Sequence, residues 1–181
     1  DNMMAHYRTT GPEILAQTNK QIDGFICSVG TGGTLSGVSK FLRENKSDIQ
    51  IGIADPKGAA MYNFFQNNKV EPSAGNSISE GIGLGRVTPI IEEIEKVDYC
   101  YSIEDIDALH YIYKLVKNEG VILGGSSAIN IAGAVNLAKD IGKGKTIVTI
   151  LCDHGSRYQS KIYNQKFLKE KKLPVPDWLK N

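Results

Sequence analysis

The chain alternates short apolar runs with longer segments of helical periodicity, and this alternation limits the fold more than any other feature. Four apolar runs are predicted strands, and they lie at 24–29, 50–54, 121–124 and 146–151. A fifth candidate strand is the run VDYCY at 97–101. Strands without clean polar alternation that are separated by helices are typical of a parallel sheet covered on both sides. We therefore predict an α/β fold, a parallel sheet with helices on both faces.

Helical patterns fill the intervals between the predicted strands. The clearest helix is predicted to start at Ser102, a good N-cap residue, with Glu104 and Asp105 placing negative charge in its first turn. Its apolar residues recur every three or four positions and form one stripe: Ile103, Ile106, Leu109, Tyr113 and Val116. Gly120 is predicted to end it. Other helical patterns lie at 12–18, 35–45, 58–68, 126–139 and 157–172, and residues 71–90 are predicted to form a long loop.

Length and charge restrict the class of protein. With 181 residues, 41% of them hydrophobic, the chain is predicted to form a single domain over 1–181. A net charge of +1 argues against nucleic acid or a membrane surface as a partner, and no apolar run approaches the ~20 residues that cross a bilayer. The first residues have no signal-peptide layout and no Met at position 1, so we expect part of a longer, cytoplasmic protein.

The three cysteines are predicted to be buried thiols. Cys27, Cys100 and Cys152 are far apart in the sequence, and each lies in an apolar run. Their spacing predicts neither a disulfide framework nor a metal site, which fits a reducing compartment.

The segment SVGTGGTLSG, residues 28–37, stands where a predicted strand turns into a predicted helix. A tight turn needs one glycine, whereas this turn has three within four positions. Bare backbone lets a ligand come close, and the N-terminus of the next helix has unpaired N–H groups and a partial positive charge. The predicted phosphate site is Gly30, Thr31, Gly32, Gly33 and Thr34.

We expect a Cβ at Gly32 to fill the space of the phosphate, although a plain turn remains the alternative. The glycine spacing is neither that of the dinucleotide-binding loop nor that of the P-loop, which disfavours both kinds of nucleotide.

Two further glycine-rich segments follow. In EGVILGGSS, residues 119–127, Ser126 or Ser127 either caps a helix or presents a hydroxyl at the carboxyl end of a strand, where parallel α/β sheets bind ligands. The segment SEGIGLG, residues 79–85, is by its own residues a flexible loop.

The remaining polar clusters predict no chemistry. Cys152, Asp153 and His154 are not expected to form a triad, because sequence neighbours on a strand point to opposite faces and triads are assembled in space. His6 and His110 are interpreted as ordinary helix or loop residues.

Five motifs carry a resemblance to a known family. AHYRTTGPEI, SVGTGGTLSGV, SEGIG, EGVILGGSSA and ILCDHGSRYQS occur together and in this order. In this the chain resembles the cysteine synthase and cystathionine β-synthase family, pyridoxal-phosphate enzymes of the tryptophan-synthase-β fold. The resemblance extends from Ala5 to about Leu179 and includes the tail PVPDWL. Related threonine dehydratases typically have a four-glycine loop, which Thr31 interrupts here.

The resemblance implies pyridoxal 5′-phosphate as cofactor, with its phosphate at Gly30 to Thr34 and its pyridine nitrogen hydrogen-bonded by Ser126. A neutral hydroxyl does not hold a proton on that nitrogen as a carboxylate would, so the ring withdraws electrons less strongly. Such a site suits β-elimination and β-replacement better than transamination. Gly81 and Gly83 match the loop that faces the substrate, where bare backbone leaves room for closure.

The chain departs from the family pattern in two places. Ala128 stands where the family usually has glycine. The family's Schiff-base lysine and the loop that holds the substrate carboxylate match nothing in this chain. We therefore expect no catalytic residue here, the N-terminal half of the pattern outside this sequence, and no activity from this chain alone.

The implied reaction replaces the acetoxy group of O-acetylserine with sulfide and makes cysteine. Cystathionine β-synthase, cysteine desulfhydrase and a lanthionine-forming enzyme are alternatives with the same chemistry. A non-catalytic half-domain that binds a phosphate compound or a partner is a further alternative. The expected partners are a small amino-acid substrate, the N-terminal segment of the same protein and a second copy in a homodimer.

Overall fold

A computed structural model describes residues 1–180. Within them, four strands form one parallel sheet in the order β3-β2-β1-β4. The strands are β1 (Gly24–Cys27), β2 (Gln50–Pro56), β3 (Tyr99–Ile103) and β4 (Ile147–Thr149). The helices are α1 (Asn2–Arg8), α2 (Thr10–Gln17), α3 (Gly33–Asn45), α4 (Met61–Asn67), α5 (Pro89–Glu92), α6 (Asp105–Glu119), α7 (Gly125–Ile141) and α8 (Gln165–Glu170). Short 3₁₀ helices lie at Gly155–Tyr158 and Asp177–Leu179.

The two central strands, β1 and β2, are buried on both faces of the sheet, as the apolar runs predict. Phe25 and Ile51 pack in a core with residues of α2, α3 and α4, whereas Ile26 and Ala54 pack in a second core with residues of α6 and α7. Successive residues of a strand point to opposite faces, so a run that is apolar throughout serves both cores. The prediction of a parallel sheet with helices on both faces is confirmed.

Helix α7 lies directly on the sheet because small residues meet at the contact. A Cβ built on Gly133 would be 2.5 Å from the Cβ of Ala54 on β2. Leu137 and Ile129 of the same helix are fully buried. This close approach brings the polar side chains of the first turns of α7 to the carboxyl ends of the strands.

The predicted strands at 24–29 and 146–151 are correctly placed but shorter in the structure. The N–H of Ser28 donates to Asn130 Oδ1 at 2.6 Å, and the carbonyl of Ile150 accepts from Asn130 Nδ2 at 2.8 Å. An amide of α7 therefore replaces strand pairing beyond Cys27 and Thr149. The strand predicted at 50–54 is confirmed, and the one predicted at 97–101 lies two residues later.

The prediction of a strand at 121–124 is wrong. Leu123 makes an isolated antiparallel bridge with His154, and its N–H and carbonyl are both bonded to the hydroxyl of Tyr163. The carbonyl of Ile122 accepts from the N–H of Gly155 at 2.9 Å. The apolar run is thus an extended segment outside the sheet, whose backbone is satisfied by the carboxyl-terminal part of the chain.

Helix α6 starts later than its polar residues suggest. Ser102 belongs to β3, and the N-cap is Glu104. The apolar stripe is real at Leu109 and Tyr113, but Ile106 is 54% exposed. Gly120 ends the helix in the left-handed conformation, as predicted.

The prediction of one helix over 157–172 is also wrong. The segment divides into the 3₁₀ turn Gly155–Tyr158, further turns and the short α8. The side chain of Asn164 accepts from the N–H of Phe167 at 3.1 Å and starts α8 anew. The tyrosine hydroxyls of this segment bond to residues 123 and 153, so tertiary contacts override helical periodicity.

Burial of the cysteines only partly follows the prediction. Cys27 is buried, Cys100 is half-buried and Cys152 is exposed. The long loop predicted at 71–90 is present up to α5. Among residues 1–180 no helix is both long and apolar enough to cross a membrane.

Replacement of Gly133 by valine tests the close contact of α7 with the sheet. The new side chain collides with Ala54, so α7 must move, and we expect the free energy of unfolding to fall by about 1–3 kcal/mol. Ala138→Val is the matched control, because Ala138 is exposed on the same helix and loses only about 0.5 kcal/mol of helix propensity. Equal losses in urea titrations of the two variants would contradict the contact.

A second prediction concerns Asp55, which is fully buried at the carboxyl end of β2. Its Oδ2 accepts from the N–H of Tyr62 at 2.8 Å, whereas Oδ1 has no partner within residues 1–180. Burial raises the pKa of Asp55 to about 6. Because the pKa is raised, the folded state binds more protons than the unfolded state between about pH 4 and pH 6. Asp55 therefore lowers the free energy of unfolding as the pH rises through this range.

Asp55→Asn removes this titration and keeps an acceptor for Tyr62. We expect the free energy of unfolding of wild type minus variant to fall between about pH 4 and 7, by roughly 1.4 kcal/mol per pH unit inside the window. Asp98→Asn is the control. Burial by itself raises the pKa of Asp98, but hydrogen bonds from Ile51, Lys96 and Arg43 lower that pKa below its usual value. The contribution of Asp98 to the free energy of unfolding is lost only below about pH 4. If the difference between wild type and Asp98→Asn also declined from pH 4 to pH 7, the assignment to Asp55 would be refuted.

Candidate functional site

The three glycine-rich segments of the sequence meet at the carboxyl edge of the sheet. A Cβ built on Gly30 would be 2.7 Å from the carbonyl oxygen of Gly81, and the N–H of Gly83 donates to the carbonyl of Val29 at 3.0 Å. On its other side, a Cβ on Gly125 would be 4.0 Å from Ser79 Oγ. The loop at 79–85 therefore lies between the glycine loop after β1 and the start of α7, at the edge where parallel sheets bind ligands.

The glycine loop forms the N-terminus of α3, a helix of 13 residues. Gly32 is its N-cap, with a left-handed φ of 97°. A Cβ on Gly32 would be 2.6 Å from Ile91 Cγ1, and one on Gly33 would be 2.6 Å from the amide of Asn2. The expectation that a Cβ at Gly32 fills the space of a phosphate is therefore wrong, because that side of the loop already packs against α5.

The backbone donors of this loop are unpaired. Among the hydrogen bonds described for residues 1–180, none uses the N–H of Thr31, Gly32, Gly33 or Thr34. The carbonyl of Thr31 instead accepts from Thr88 Oγ1 at 2.7 Å, which holds the loop open in this orientation. Unpaired N–H groups at the positive end of a helix are the arrangement that binds phosphate.

Helix α1 contacts both threonine hydroxyls of this loop. Asn2 Nδ2 donates to Thr31 Oγ1 at 3.1 Å, and His6 Nε2 lies 3.2 Å from Thr34 Oγ1. The interpretation of His6 as an ordinary helix residue misses this contact, which joins positions 28 residues apart. The one signal in the sequence is that His6 and Thr10 are four residues apart, a spacing at which side chains on a helix can meet. In the structure His6 Nδ1 and Thr10 Oγ1 are hydrogen-bonded at 3.0 Å.

Ser126 is the second residue of α7 and is only 6% exposed. It does not cap the helix, because the N-cap is Gly124 and no side chain caps this end. Ser127 is committed to the fold, since its hydroxyl accepts from the N–H of Cys152 at 2.9 Å. Ser126 makes none of the side-chain hydrogen bonds described for residues 1–180, so of the two hydroxyls it is the one left to a ligand.

The turn before Ser126 is held by the segment that follows β4. The N–H of Gly124 donates to the carbonyl of Asp153 at 2.9 Å, and Asp153 Oδ2 accepts from the hydroxyl of Tyr158 at 2.6 Å. A Cβ on Gly124 would be 2.5 Å from the Tyr158 ring, so only glycine fits there. The hydrogen bond to Asp153 raises the pKa of Tyr158 to about 12, with burial adding to it.

These contacts also exclude a triad of Cys152, Asp153 and His154. Asp153 bonds to Tyr158, whereas His154 Nδ1 lies 3.0 Å from Ser156 Oγ. The sequence reasoning was right to reject a triad. It missed Tyr158 and Asp153 as supports of the turn, because their partners lie about 30 residues earlier in the chain.

Asn130 is a further residue that the sequence reasoning missed. It is 1% exposed, and its amide joins the backbone beyond β1 to the backbone beyond β4. An asparagine inside an apolar helix is the one available signal, because a buried amide needs partners for its donor and acceptor groups.

The loop at 79–85 depends on two glycines with positive φ. Gly81 and Gly83 both have a φ of 75°. A Cβ on Gly83 would be 2.8 Å from Pro56 Cγ, whereas a Cβ on Gly81 would meet nothing within 4 Å. Bare backbone at Gly81 thus borders open space, and Gly83 is required by its contact with β2. Glu80 forms an ion pair with Lys161.

A cavity of about 240 Å³ adjoins this loop. It lies between the turn after β2 and residues 75–83, and its lining includes Lys57, Ser77 and Ile82. Lys57 is paired with Glu104 at 3.3 Å. Within residues 1–180 no three side chains of His, Cys, Asp or Glu form a group that could hold a metal ion.

Gly81→Ala isolates the conformational requirement of the loop. Alanine meets no atom there but must adopt the left-handed conformation, so we expect the free energy of unfolding to fall by about 1–2 kcal/mol. Gly85→Ala is the matched control, because it also faces open space and has no positive φ. It should be neutral or stabilise by up to ~1 kcal/mol. Thermal and urea unfolding that treats the two variants alike would contradict the conformation of Gly81.

Comparison with known proteins finds relatives that are cysteine synthases or cystathionine beta-synthases. Cysteine synthase 1 of Neurospora crassa is 38% identical over 98% of this chain and 49% of its own length. Cysteine synthase of Dictyostelium discoideum is 38% identical over 97% of the chain and 49% of its own length. Cystathionine beta-synthase of Oryctolagus cuniculus is 33% identical over 98% of the chain and 33% of its own length.

A solved structure agrees with these relatives. The O-acetylserine dependent cystathionine beta-synthase from Helicobacter pylori matches with a TM-score of 0.77 and 31% identity, over 88% of this chain and 49% of that one. The chain spans about half the length of the curated cysteine synthases it matches. The family described as "Pyridoxal-phosphate dependent enzyme" matches residues 1–153, and the chain belongs to this family.

Proposed function

We propose that this chain forms the cofactor-binding part of a pyridoxal-phosphate-dependent enzyme that makes cysteine from O-acetylserine and sulfide. The observation that carries the proposal is the set of unpaired N–H groups from Thr31 to Thr34, together with the buried hydroxyl of Ser126 beyond the loop at 79–85. A phosphate ester and a polar ring atom fit these two sets of groups. The names of the relatives support the same chemistry.

Each predicted site residue has a role in the proposal. The backbone of Gly30, Thr31, Gly32, Gly33 and Thr34 binds the phosphate. The hydroxyl of Ser126 faces the pyridine nitrogen, and the backbone of Gly81 and Gly83 borders the amino-acid substrate. When bound, the cofactor supplies an electron-withdrawing ring that stabilises negative charge at the substrate Cα.

The chain itself supplies binding and orientation. A phosphate at α3 gains hydrogen bonds and the favourable field of the helix terminus, and α5 and α1 fix the loop that holds it. The turn held by Tyr158 and Asp153 fixes the position of Ser126. No lysine of this sequence matches the family's lysine motif, so we assign the Schiff-base lysine to a segment outside it and expect this chain alone to be inactive.

Cystathionine synthesis from O-acetylserine is a second candidate reaction, favoured by the name of the matched Helicobacter pylori structure. The cavity beside the loop at 79–85 would then accept a larger thiol than sulfide. A homodimer stays a prediction from the resemblance, and a cytoplasmic location stays a prediction from the sequence.

Binding of pyridoxine 5′-phosphate tests the proposed cofactor site. This compound has an alcohol in place of the reactive aldehyde, so it does not react with surface lysines. We expect it to bind, inorganic phosphate to compete with it, and the unphosphorylated pyridoxine to bind far more weakly. Ser126→Ala should weaken pyridoxine 5′-phosphate by about two- to tenfold, the loss of one hydrogen bond, and leave the affinity for inorganic phosphate unchanged.

Ser160→Ala, an exposed serine in the carboxyl-terminal segment, is the control and should bind both compounds as wild type does. Isothermal titration calorimetry measures the affinities of the wild type and the two variants for both compounds. Absence of binding by the wild type would overturn the cofactor site. Binding that Ser126→Ala leaves unchanged would show that Ser126 does not face the ring.

A further inference from the structure

The side chain of His6 lies between two threonine hydroxyls from different helices. Its Nδ1 is 3.0 Å from Thr10 Oγ1 at the start of α2, and its Nε2 is 3.2 Å from Thr34 Oγ1 at the start of α3. All three side chains are half-buried. The three groups form a continuous hydrogen-bonded chain that ends in the glycine loop.

Contact between the backbones of α1 and α3 fixes the position of this hydrogen-bonded series. A Cβ on Gly37 would collide with the carbonyl oxygen of Met3 and lie 2.9 Å from His6 Cβ. No side chain therefore separates the two helices at the level of His6. Gly37, the fourth glycine of the motif GTGGTLSG, is required by this contact and not by a ligand.

The direction of the hydrogen bonds in the chain has two solutions. A neutral imidazole donates through one nitrogen and accepts through the other. With the proton on Nδ1, His6 donates to Thr10 and accepts from Thr34, so the Thr34 proton is used within the protein. With the proton on Nε2, His6 donates to Thr34 and accepts from Thr10, so the Thr34 proton is free to point elsewhere.

An anion at the N-terminus of α3 distinguishes the two solutions. Phosphate oxygens accept hydrogen bonds and gain most from donors next to the backbone N–H groups. In the first solution Thr34 turns only lone pairs toward the anion, which is repulsive. In the second solution Thr34 adds a hydroxyl donor to the donors of the loop.

We propose that His6 is a positioning residue of the anion site, which accepts from Thr10 and donates to Thr34 so that the Thr34 hydroxyl donates to the bound phosphate. The inference rests on the proposed function, because it needs an anion at the N-terminus of α3. It adds two residues outside the glycine loop, His6 and Thr10, that determine how strongly the loop binds phosphate.

Nitrogen-15 NMR of the histidine side chains tests the direction directly. The spectra are recorded at about pH 8, where imidazole side chains are generally neutral, with and without inorganic phosphate. We expect phosphate to increase the population of the form of His6 that is protonated on Nε2. His110, which is exposed on α6, and His154 should not change.

Thr10→Val removes the donor to Nδ1 and keeps the shape of the side chain. We expect the affinity for inorganic phosphate to fall by about two- to tenfold, the loss expected for one hydrogen bond, with a smaller increase of the Nε2-protonated form. Thr9→Val is the matched control, because the Thr9 hydroxyl donates to the carbonyl of Ala5 and makes no hydrogen bond to His6.

The outcomes separate this inference from the proposed function. If the wild type binds neither inorganic phosphate nor pyridoxine 5′-phosphate, the proposed function and this inference both fail. If the wild type binds phosphate and the His6 nitrogens do not respond, this inference alone is overturned. A loss of affinity in Thr10→Val without a change of tautomer would make Thr10 merely structural and would also overturn it.

Discussion

The contact between Gly133 of α7 and Ala54 of β2 is the constraint on which the rest of the carboxyl edge depends. Since no side chain separates the helix from the sheet, Asn130, one turn earlier, reaches the backbone beyond both β1 and β4. Ser127, a further turn toward the N-terminus, reaches the backbone of Cys152. The strands therefore end where α7 provides substitutes for their pairing, and Ser126 lies beside those ends.

The sequence predicts the sheet well because its strands are apolar on both sides and follow one another in a regular alternation. It fails at 121–124 and 157–172, and both failures have the same cause. The hydroxyl of Tyr163 satisfies both backbone groups of Leu123, so an apolar segment is stable without a neighbouring strand. A local pattern of hydrophobicity contains no information about such a bond between residues 40 positions apart.

The candidate site is likewise predictable from the sequence only in part. Its glycine-rich segments are visible in the sequence because several glycines at a strand-to-helix junction exceed the needs of a turn. The structure nevertheless gives three of these glycines a different reason: Gly32, Gly33 and Gly37 are small because α5 and α1 pack against them. The residues that support the site, Asn130 and Tyr158 among them, have ordinary local surroundings and become recognisable only through their partners.

The two attachments of the loop at 79–85 respond differently to the solvent. On one side, the N–H of Gly83 is bonded to the carbonyl of Val29 next to the sheet. On the other, Glu80 is attached to Lys161 through an ion pair whose side chains are 57% and 37% exposed. Dissolved salt screens an exposed ion pair and has little effect on a backbone hydrogen bond. Rising ionic strength therefore loosens the outer attachment of this loop, while the inner one, on the other side of Gly81, persists.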